Sequence, residues 1–455
     1  MPMSRKTVPA TDMGWLARRS LKIGLLSFGG PAAQIALMHR EFVEDGGKVS
    51  ETRFLNALNY CMLLPGPEAQ QLATYCGWIV AGVRGGLVSG LLFILPGALA
   101  MLAVSLLYVT LGSTGIVASL FYGIKAGVLA IVLQALLRLG RRALTSAGAW
   151  AIALAAFLAL FLFDLPFPMV IVAAGLAGAL GLAAPPRAEA ELEAAPDADP
   201  APTHSDGRAR GGWRSGLGAS LRTVAIALLL WGLPVALAAL ALSPRHVLID
   251  IAGFFSTMAV VSFGGAYALL SYMAQVAVET QGWLAPGEML DGLGLAETTP
   301  GPLILVTQFV GFLGGFRDPA PFDPLIAGTL AAAMTTWVTF APSFLFVLAG
   351  APHIDRIQQV RWLSRMLSAI TAAVVGTILN LSLWFAINVL FREVGTLERA
   401  GLSAPLPVPA SLDPWIAGLA GLAAVLLFVL KRGVAEVVLV TALAGVVLKL
   451  SGVAG

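Results

Sequence analysis

Two short motifs, each present twice, carry the residues of this chain that could bind a charged solute. Ser-Phe-Gly-Gly begins at Ser27 and at Ser262, and Pro-Gly-Pro begins at Pro65 and at Pro300. Glycine disfavours a helix interior through backbone entropy, and proline does so through a lost N–H and a ring clash. A helix that restarts after such a break presents unpaired N–H groups and the positive end of its dipole. The motifs therefore predict broken helices that form an anion site largely from backbone atoms.

The predicted anion site combines both motif pairs with two hydroxyls and one cation. Its residues are Phe28, Gly29, Gly30, Pro65, Gly66, Pro67, Lys125, Phe263, Gly264, Gly265, Thr298, Thr299, Pro300, Gly301 and Pro302. Lys125 is included because an ionisable residue inside an apolar segment indicates function by default. The structural alternatives stay open: glycines pack helices, prolines kink them, and Lys125 snorkels or pairs with an acid.

Two carboxylates beside the Pro-Gly-Pro motifs are predicted to couple transport to protons. Glu68 falls in the first turn of the helix expected after Pro67, and Leu303 takes its place in the second copy. Glu297 lies just before the second break, where the negative end of a helix dipole opposes another negative charge. The alternatives are that Glu68 only caps its helix and that Glu297 pairs with an arginine.

The motifs lie in a duplicated and strongly apolar chain. Adding 235 to each residue number lays positions 27–67 on 262–302 without a gap, and 14 of the 41 positions are identical. Of the 455 residues, 58% are hydrophobic and 12% are charged, whereas soluble domains are about 25% charged. The sequence therefore predicts an all-α polytopic membrane protein of about 13 membrane segments, two repeats with broken helices.

Charge placement predicts that the two repeats are inverted. Arginines follow the fourth apolar segment at 138–142 and precede or open its counterpart at 356–365, and basic loops stay cytoplasmic. The predicted units are a first repeat at 13–184, a flexible Pro- and Ala-rich linker at 185–221, an extra transmembrane helix at 222–242 and an inverted repeat at 246–450. The N-terminus and linker are then cytoplasmic, and the C-terminus is periplasmic. Whether the motif segments span the membrane or re-enter stays open, because neither case changes this parity.

Several classes of function are disfavoured by what the sequence lacks. The net charge of +3 is small and its basic residues are dispersed, so no nucleic-acid partner is expected. Cys61, Cys76 and the four scattered histidines form no ligand pattern, so we expect no metal and no cofactor. No GxxxxGK[ST] loop is present, which argues against ATP hydrolysis. An intramembrane enzyme is disfavoured because no His, Cys or paired Asp residues cluster in the apolar runs.

With SFGGP near its start, the loop HREFVE, and SFGG with TTPGPL in its second half, the chain resembles the chromate ion transporter family in its long, two-domain form. The resemblance covers nearly all of the chain except the linker. It implies chromate efflux across the bacterial inner membrane and chromate resistance, with sulfate as an isosteric tetrahedral dianion. The second copy departs from the first at Ala266 (Pro31) and at Trp283 (Lys48), which leaves the substrate of this member open.

The sequence thus predicts a secondary transporter that moves chromate outward, driven by the proton gradient. In this hypothesis the dianion binds near Thr298 to Gly301, and Glu68 carries protons. The alternatives are uptake of sulfate or another oxyanion, and a passive anion channel with the same broken helices. The predicted partners are chromate or sulfate, protons and the lipid bilayer. The oligomeric state is open, a homodimer included.

Overall fold

The protein is a bundle of helices with one two-stranded hairpin. The computed structural model describes residues 13–28, 30–112, 114–181, 213–243, 245–263, 266–351, 361–399 and 402–452. The helices are α1 (Met13–Leu26), α2 (Gly30–His39), α3 (Glu51–Cys61), α4 (Glu68–Leu111), α5 (Gly115–Ala143), α6 (Ala147–Phe161), α7 (Phe167–Ala179), α8 (Trp213–Ala241), α9 (Val247–Val261), α10 (Ala266–Ala274), α11 (Pro286–Thr298), α12 (Val306–Arg317), α13 (Pro324–Gly350), α14 (Arg361–Leu390), α15 (Pro414–Ala424) and α16 (Val434–Leu450). Strands β1 (Val394–Arg399) and β2 (Leu402–Pro407) pair antiparallel.

Long apolar helices confirm the predicted all-α polytopic class. Five segments in the described ranges are long and apolar enough to cross a membrane: Glu68–Leu111, Gly115–Ala143, Val224–Ala241, Pro324–Gly350 and Trp362–Leu390. A spanning helix needs about 20 apolar residues. Shorter apolar helices are also present, namely α6, α7, α9, α15 and the segment Leu303–Arg317 that contains α12.

The duplication is visible in the bounds of the helices. The series from α1 to α3 recurs about 235 positions later as α9 to α11. Each series contains a π-helical turn, at Arg40–Glu44 and at Gln275–Thr280. Because π-helical turns are rare, their equivalent placement is strong support for the repeat. Beyond this region the spacing grows to 246, since α5 begins at Gly115 and α14 at Arg361.

The segments that carry the motifs turn back at the motif instead of running through the protein. In the second half, Arg317 at the end of α12 binds Glu288 in the first turn of α11, with an Nη2–Oε1 distance of 2.6 Å. In the first half, Glu41 just after α2 pairs with Arg19 and with Lys22 of α1, the latter at 2.6 Å. Each hairpin therefore starts and ends at the same end of the protein. A hairpin that returns leaves the orientation of every later helix unchanged.

Helix α4 is itself folded into two antiparallel arms. The backbone of α4 departs from helical geometry at Ala81 and Gly82. Gly82 has a φ of 64°, a conformation that favours glycine. A Cβ added at Gly86 would lie 3.1 Å from the carbonyl oxygen of Thr74, although twelve residues of straight helix span about 18 Å. The first arm, 68–80, therefore packs on the second arm, 83–111, as α12 packs on α13 in the other half.

The two halves interlock through their helical hairpins. Helix α14 of the second half packs against α6 and α7, and α5 of the first half packs against α15 and α16. Glycines permit these close crossings: a Cβ on Gly123 would lie 2.9 Å from Ala442 Cα, and one on Gly376 would lie 2.9 Å from Phe157 N. Part of the surface of α5 and of α14 is therefore buried by helices of the other half.

The hairpin turns are also repeated, although their charges differ. Asp164 and Lys431 both take a positive φ, 47° and 52°. The N–H of the next residue, Leu165 or Arg432, bonds to the carbonyl six positions earlier, at 3.1 and 2.9 Å. In each case two short helices, α6 with α7 and α15 with α16, are joined as a hairpin.

The extra helix α8 has no counterpart among the described residues of the first half. It begins at Trp213, inside the predicted linker 185–221, rather than at 222. It lies on α13, where the indole N–H of Trp337 donates to the Leu230 and Trp231 carbonyl oxygens at 3.2 and 3.3 Å. The rest of the predicted linker falls mostly outside the described residues.

Candidate functional site

Each Pro-Gly-Pro motif is hydrogen-bonded through its backbone to the Ser-Phe-Gly-Gly motif of the other half. The N–H of Gly66 donates to the Ser262 carbonyl oxygen, and the N–H of Gly301 donates to that of Ser27, both at 2.9 Å. The two bonds are equivalent under the 235-residue shift. The breaks of one half therefore contact those of the other half at two equivalent places, which we together call the break site.

A tight turn at each serine points its carbonyl towards the other half. The N–H of Phe28 bonds to Leu26 O and that of Phe263 to Val261 O, both at 3.0 Å. Ser262 has φ −81° and ψ 74°, close to the inverse γ-turn. The carbonyl at the end of the helix, which would otherwise lack a partner, is thus bound by the opposite motif.

The central glycines of the two Pro-Gly-Pro motifs are required by both conformation and space. Gly66 and Gly301 have φ values of 118° and 95°. A Cβ on Gly66 would lie 2.5 Å from Ser343 Oγ, and a Cβ on Gly301 would lie 3.1 Å from Gly97 Cα. Any larger residue would be strained and would also displace its neighbour.

The neighbours of these glycines were missed by the sequence reasoning. Gly97 follows Pro96 in α4, and Ser343 follows Pro342 in α13, so the two sites are again equivalent, now 246 positions apart. Each Pro-Gly-Pro glycine therefore contacts the residue after the proline of the other half's long helix. The sequence signal that could have identified them is a proline inside each of two matching apolar segments, Pro96 and Pro342.

Both breaks direct uncapped helix starts into a polar environment. Helix α4 begins at Glu68 behind Pro67, and the 3₁₀ turn Leu303–Leu305 that leads into α12 begins behind Pro302, in each case without a side-chain cap. Gln70 and Gln71 are fully buried, and their amide oxygens have no hydrogen-bond partner among the described residues. Such starts carry positive partial charge. The break site can therefore stabilise an anion without a nearby cationic side chain.

Not every predicted residue turns its polar group to the break site. The Thr298 hydroxyl donates to the carbonyl oxygens of Gly294 and Leu295 at 3.0 and 3.1 Å, so its proton is directed into its own helix. Thr299 is the buried C-cap of α11, and Glu297 is buried at the end of that helix. Three predicted glycines, Gly29, Gly264 and Gly265, lie outside the described residues.

Lys125 lies in a separate cavity of about 430 Å³. Its Nζ is 3.5 Å from Oδ1 of Asp291, and the Tyr108 hydroxyl donates to Oδ2 of the same carboxylate at 2.9 Å. None of the motif residues that the structure describes lines this cavity. Asp291 was missed by the sequence reasoning, although it is a carboxylate inside an apolar run. Lys125 therefore has an acid near its ammonium group, as one of the alternatives expected.

Comparison with known proteins agrees with these repeats. A family model described as "Chromate transporter" matches residues 15–179 and 249–448. The chain belongs to the chromate transporter family. Both matched ranges contain one motif pair, and the predicted linker and α8 fall between them. With its long apolar helices, this family member is a multi-pass membrane protein.

Relatives in the chromate transporter family match over most of their length. A "Chromate transport protein" of Pseudomonas aeruginosa is 32% identical over 375 residues, covering 81% of this chain and 80% of the relative. A "Probable chromate transport protein" of Synechococcus elongatus is 28% identical (81% and 84% covered), and a "Chromate transport protein" of Cupriavidus metallidurans is 26% identical (82% and 82% covered). No solved structure matches the chain. The names of these relatives point to a transporter rather than an enzyme.

The open end of the first motif hairpin in this family member is held by ion pairs. Burial alone would raise the pKa of Glu41, but the hydrogen bonds from Lys22 and Arg19 outweigh it and hold this pKa below its usual range. His39, at the end of α2, bridges Glu44 at 3.1 Å through Nδ1 and Glu51 at 2.6 Å through Nε2. The bond to Glu51 raises the pKa of His39 above its usual 6.5, although burial opposes the shift.

We expect the His39 bridge to stabilise the folded protein more at low pH. A raised pKa means that the stabilisation is fully present below about pH 6.5, the unfolded value, and is lost as pH rises through the folded value. His39→Gln should lower the apparent Tm at pH 6 more than at pH 8, by the effect of roughly 0.5 kcal/mol typical of exposed pairs. Thermal unfolding in detergent at both pH values measures this difference. An equal loss at both pH values would contradict the charged bridge.

Proposed function

We propose that this protein carries chromate, a tetrahedral dianion, outward across the bacterial inner membrane through the break site, driven by the proton gradient. The observation that carries the proposal is the reciprocal pairing of Gly66 with Ser262 and of Gly301 with Ser27. This pairing places each uncapped helix start against the other half of the protein in a low-dielectric setting, where its partial charge attracts an anion strongly. The names of the relatives support chromate as the substrate.

The same pairing supports an inverted arrangement of the two repeats. Reciprocal contacts, in which residue i meets j and j meets i, are those of a two-fold axis. Equivalent helices also carry their arginines at opposite termini: Arg141 and Arg142 close α5, whereas Arg361 and Arg365 open α14. If basic ends stay inside, the halves are inverted. The N-terminus and the linker are then cytoplasmic, and the C-terminus is periplasmic.

Electrostatics favour the outward direction for such a solute. Moving one charge across 100 mV is worth about 2.3 kcal/mol, so a dianion that leaves an inside-negative cell gains about 4.6 kcal/mol. Proton exchange would add the energy of the pH gradient to this term. Sulfate has the same shape and charge and should compete for the same backbone donors.

Flux measurements on proteoliposomes test the proposed function. Proteoliposomes that contain the purified protein are loaded with chromate. The membrane potential is clamped with potassium and valinomycin, and the pH gradient is varied. We expect saturable chromate flux that increases with both potential and pH gradient and is inhibited by sulfate. Flux that is non-saturating and indifferent to the pH gradient would identify a passive channel. Preferential inward movement of sulfate would identify an uptake system.

Proton coupling through Glu68 is tested by Glu68→Gln. Glu68 begins α4 directly after the first break, so a proton on its carboxyl group alters the charge beside the bound dianion. The variant should lose the dependence on the pH gradient and slow chromate flux about tenfold, equal to about 1.4 kcal/mol of barrier. Glu436→Gln is the matched control, because Glu436 also occupies a first helical turn, that of α16. Unchanged rate and pH dependence in Glu68→Gln would remove the coupling role.

A further inference from the structure

The cavity around Lys125 is a second polar site inside the helix bundle. It lies between the second arm of α4, α5, α11 and α12. Its polar lining consists of Tyr108, Lys125, Glu288, Asp291 and Arg317. Two of these side chains are cationic and two are acidic, so the cavity is close to neutral. Its volume of about 430 Å³ is ample for a tetrahedral oxyanion with water.

The two cations of the cavity are held very differently. Arg317 donates to both carboxylate oxygens of Glu288, at 2.6 and 2.7 Å, and to the Trp283 carbonyl oxygen at 2.5 Å. The Nζ of Lys125 lies 3.5 Å from Asp291 Oδ1, which is at the outer limit of a hydrogen bond. Arg317 is thus fixed as part of the wall, whereas the ammonium group of Lys125 can be drawn to another acceptor.

Asp291 is a buried carboxylate whose bonding is incomplete. Only 3% of its surface is exposed, and Oδ1 has no hydrogen-bond partner among the described residues. Its other oxygen accepts from the Tyr108 hydroxyl. A buried charge without full hydrogen bonding is costly to stability. This incomplete pair is more consistent with an exchangeable contact than with a structural ion pair.

We propose that this cavity is a second, low-affinity oxyanion site, in which Lys125 binds the anion and Asp291 competes with it and promotes its release. An entering oxyanion would bind the ammonium group of Lys125 in place of Asp291. The carboxylate of Asp291 would then repel the bound oxyanion electrostatically. A site on a transport path must bind strongly enough to admit the ion and weakly enough to let it go. An unopposed lysine inside the bundle would retain a dianion.

The position of the cavity assigns it to the exit side, a statement that rests on the proposed function. Gly112 and Ala118 place it at the junction of α4 and α5, opposite the arginine-bearing end of α5. Under the proposed orientation that junction is periplasmic. Gly287 permits this placement of Lys125, because a Cβ there would lie 2.9 Å from Lys125 Nζ. On the side of Gly287, the ammonium group therefore lies against backbone.

Equilibrium binding of radiolabelled sulfate to the purified protein in detergent tests this site. We expect a tight component from the break site and a weak component from the cavity. Asp291→Asn should tighten the weak component at least about tenfold, because a negative charge near the anion is removed. It should also slow chromate release from proteoliposomes. Lys125→Gln should weaken the same component about tenfold, and the double variant should resemble Lys125→Gln, because the competitor matters only while the lysine is present.

Asp413→Asn is the matched control. Asp413 also accepts from a tyrosine and a cation, Tyr122 at 2.9 Å and Arg392 at 3.1 Å, but it does not line the cavity. Asp413→Asn should leave both binding components unchanged.

The double variant of Lys125→Gln and Asp291→Asn keeps the cavity neutral. It therefore remains usable where a single unpaired charge prevents folding. Sulfate binding equal to that of the wild type in this double variant would overturn the proposal.

The outcomes separate this site from the proposed function. If the wild type transports chromate but neither Lys125→Gln nor Asp291→Asn changes sulfate binding or chromate release, the cavity holds only a structural ion pair and the inference fails. If the wild type transports no chromate but the weak component shifts as expected, the site stands and the proposed substrate fails.

Discussion

Gly301→Ala should reduce chromate transport at least tenfold while the protein still reaches the membrane. Gly301 has a φ of 95°, where residues with a side chain are strained by about 1–3 kcal/mol. Its new Cβ would lie 3.0 Å from Leu305 Cδ1 and 3.1 Å from Gly97 Cα. The peptide must rotate to relieve both effects, and this rotation moves the N–H away from the Ser27 carbonyl oxygen. Since about 1.4 kcal/mol is tenfold in rate, the lost geometry is sufficient for this effect.

A matched glycine separates this effect from strain alone. Gly47 also has a positive φ, 58°, but a Cβ there would meet nothing within 4 Å. Gly47→Ala should therefore retain transport close to that of the wild type. Chromate flux in proteoliposomes, normalised to the protein incorporated, compares the two variants. Wild-type flux in Gly301→Ala would contradict a role for the second break in the anion path.

Local sequence was sufficient to predict the breaks and the repeat, because glycine and proline act on their own backbone. The shift of 235 residues that aligns Gly66 with Gly301 also aligns the π-helical turns that follow α2 and α10. Helix class and repeat therefore follow from short-range rules. The π-helical turns themselves carry no sequence signal that we could identify.

Contacts between the halves could not be predicted in this way. The bonds from Gly66 to Ser262 and from Gly301 to Ser27 join residues about 200 or more positions apart, and no propensity specifies such pairs. Gly97 was missed because the repeat spacing changes from 235 to 246 after the first arm of α4. Asp291 was missed because its partner Lys125 lies on a distant helix. Single-sequence reasoning therefore identified the parts of the break site but not their pairing.

Two further differences have simple physical causes. Whether the motif segments span or return was undecidable from charge, because both topologies place the arginines of α5 and α14 identically. The contact between Arg317 and Glu288 shows that the second Pro-Gly-Pro segment returns. Thr298 was expected to offer its hydroxyl to an anion, but in a helix a threonine readily donates to the carbonyl three or four residues earlier.

The interlocking of the halves leads to the second large effect, on stability. Gly123→Ala should lower the apparent Tm by about 5 °C, since overpacking costs about 1–3 kcal/mol and each kcal/mol shifts a large domain by about 2–4 °C. At this crossing, α5 meets α16 backbone to backbone: a Cβ on Gly123 would overlap the Thr441 carbonyl oxygen and lie 2.9 Å from Ala442 Cα. No rotamer change can relieve a clash between a Cβ and a backbone. The two helices must therefore separate.

Gly115→Ala is the control, because Gly115 begins the same helix and a Cβ there meets nothing within 4 Å. Thermal unfolding in detergent at a fixed scan rate compares the variants, because membrane-protein unfolding is often irreversible and the apparent Tm then depends on rate. A Tm for Gly123→Ala equal to that of Gly115→Ala would mean that the α5–α16 crossing is looser than the structure indicates. Because Lys125 follows Gly123 by two residues, separation of α5 from α16 would also shift Lys125 relative to Asp291. The packing of α16 on α5 would then help to position Lys125 in the cavity between the halves.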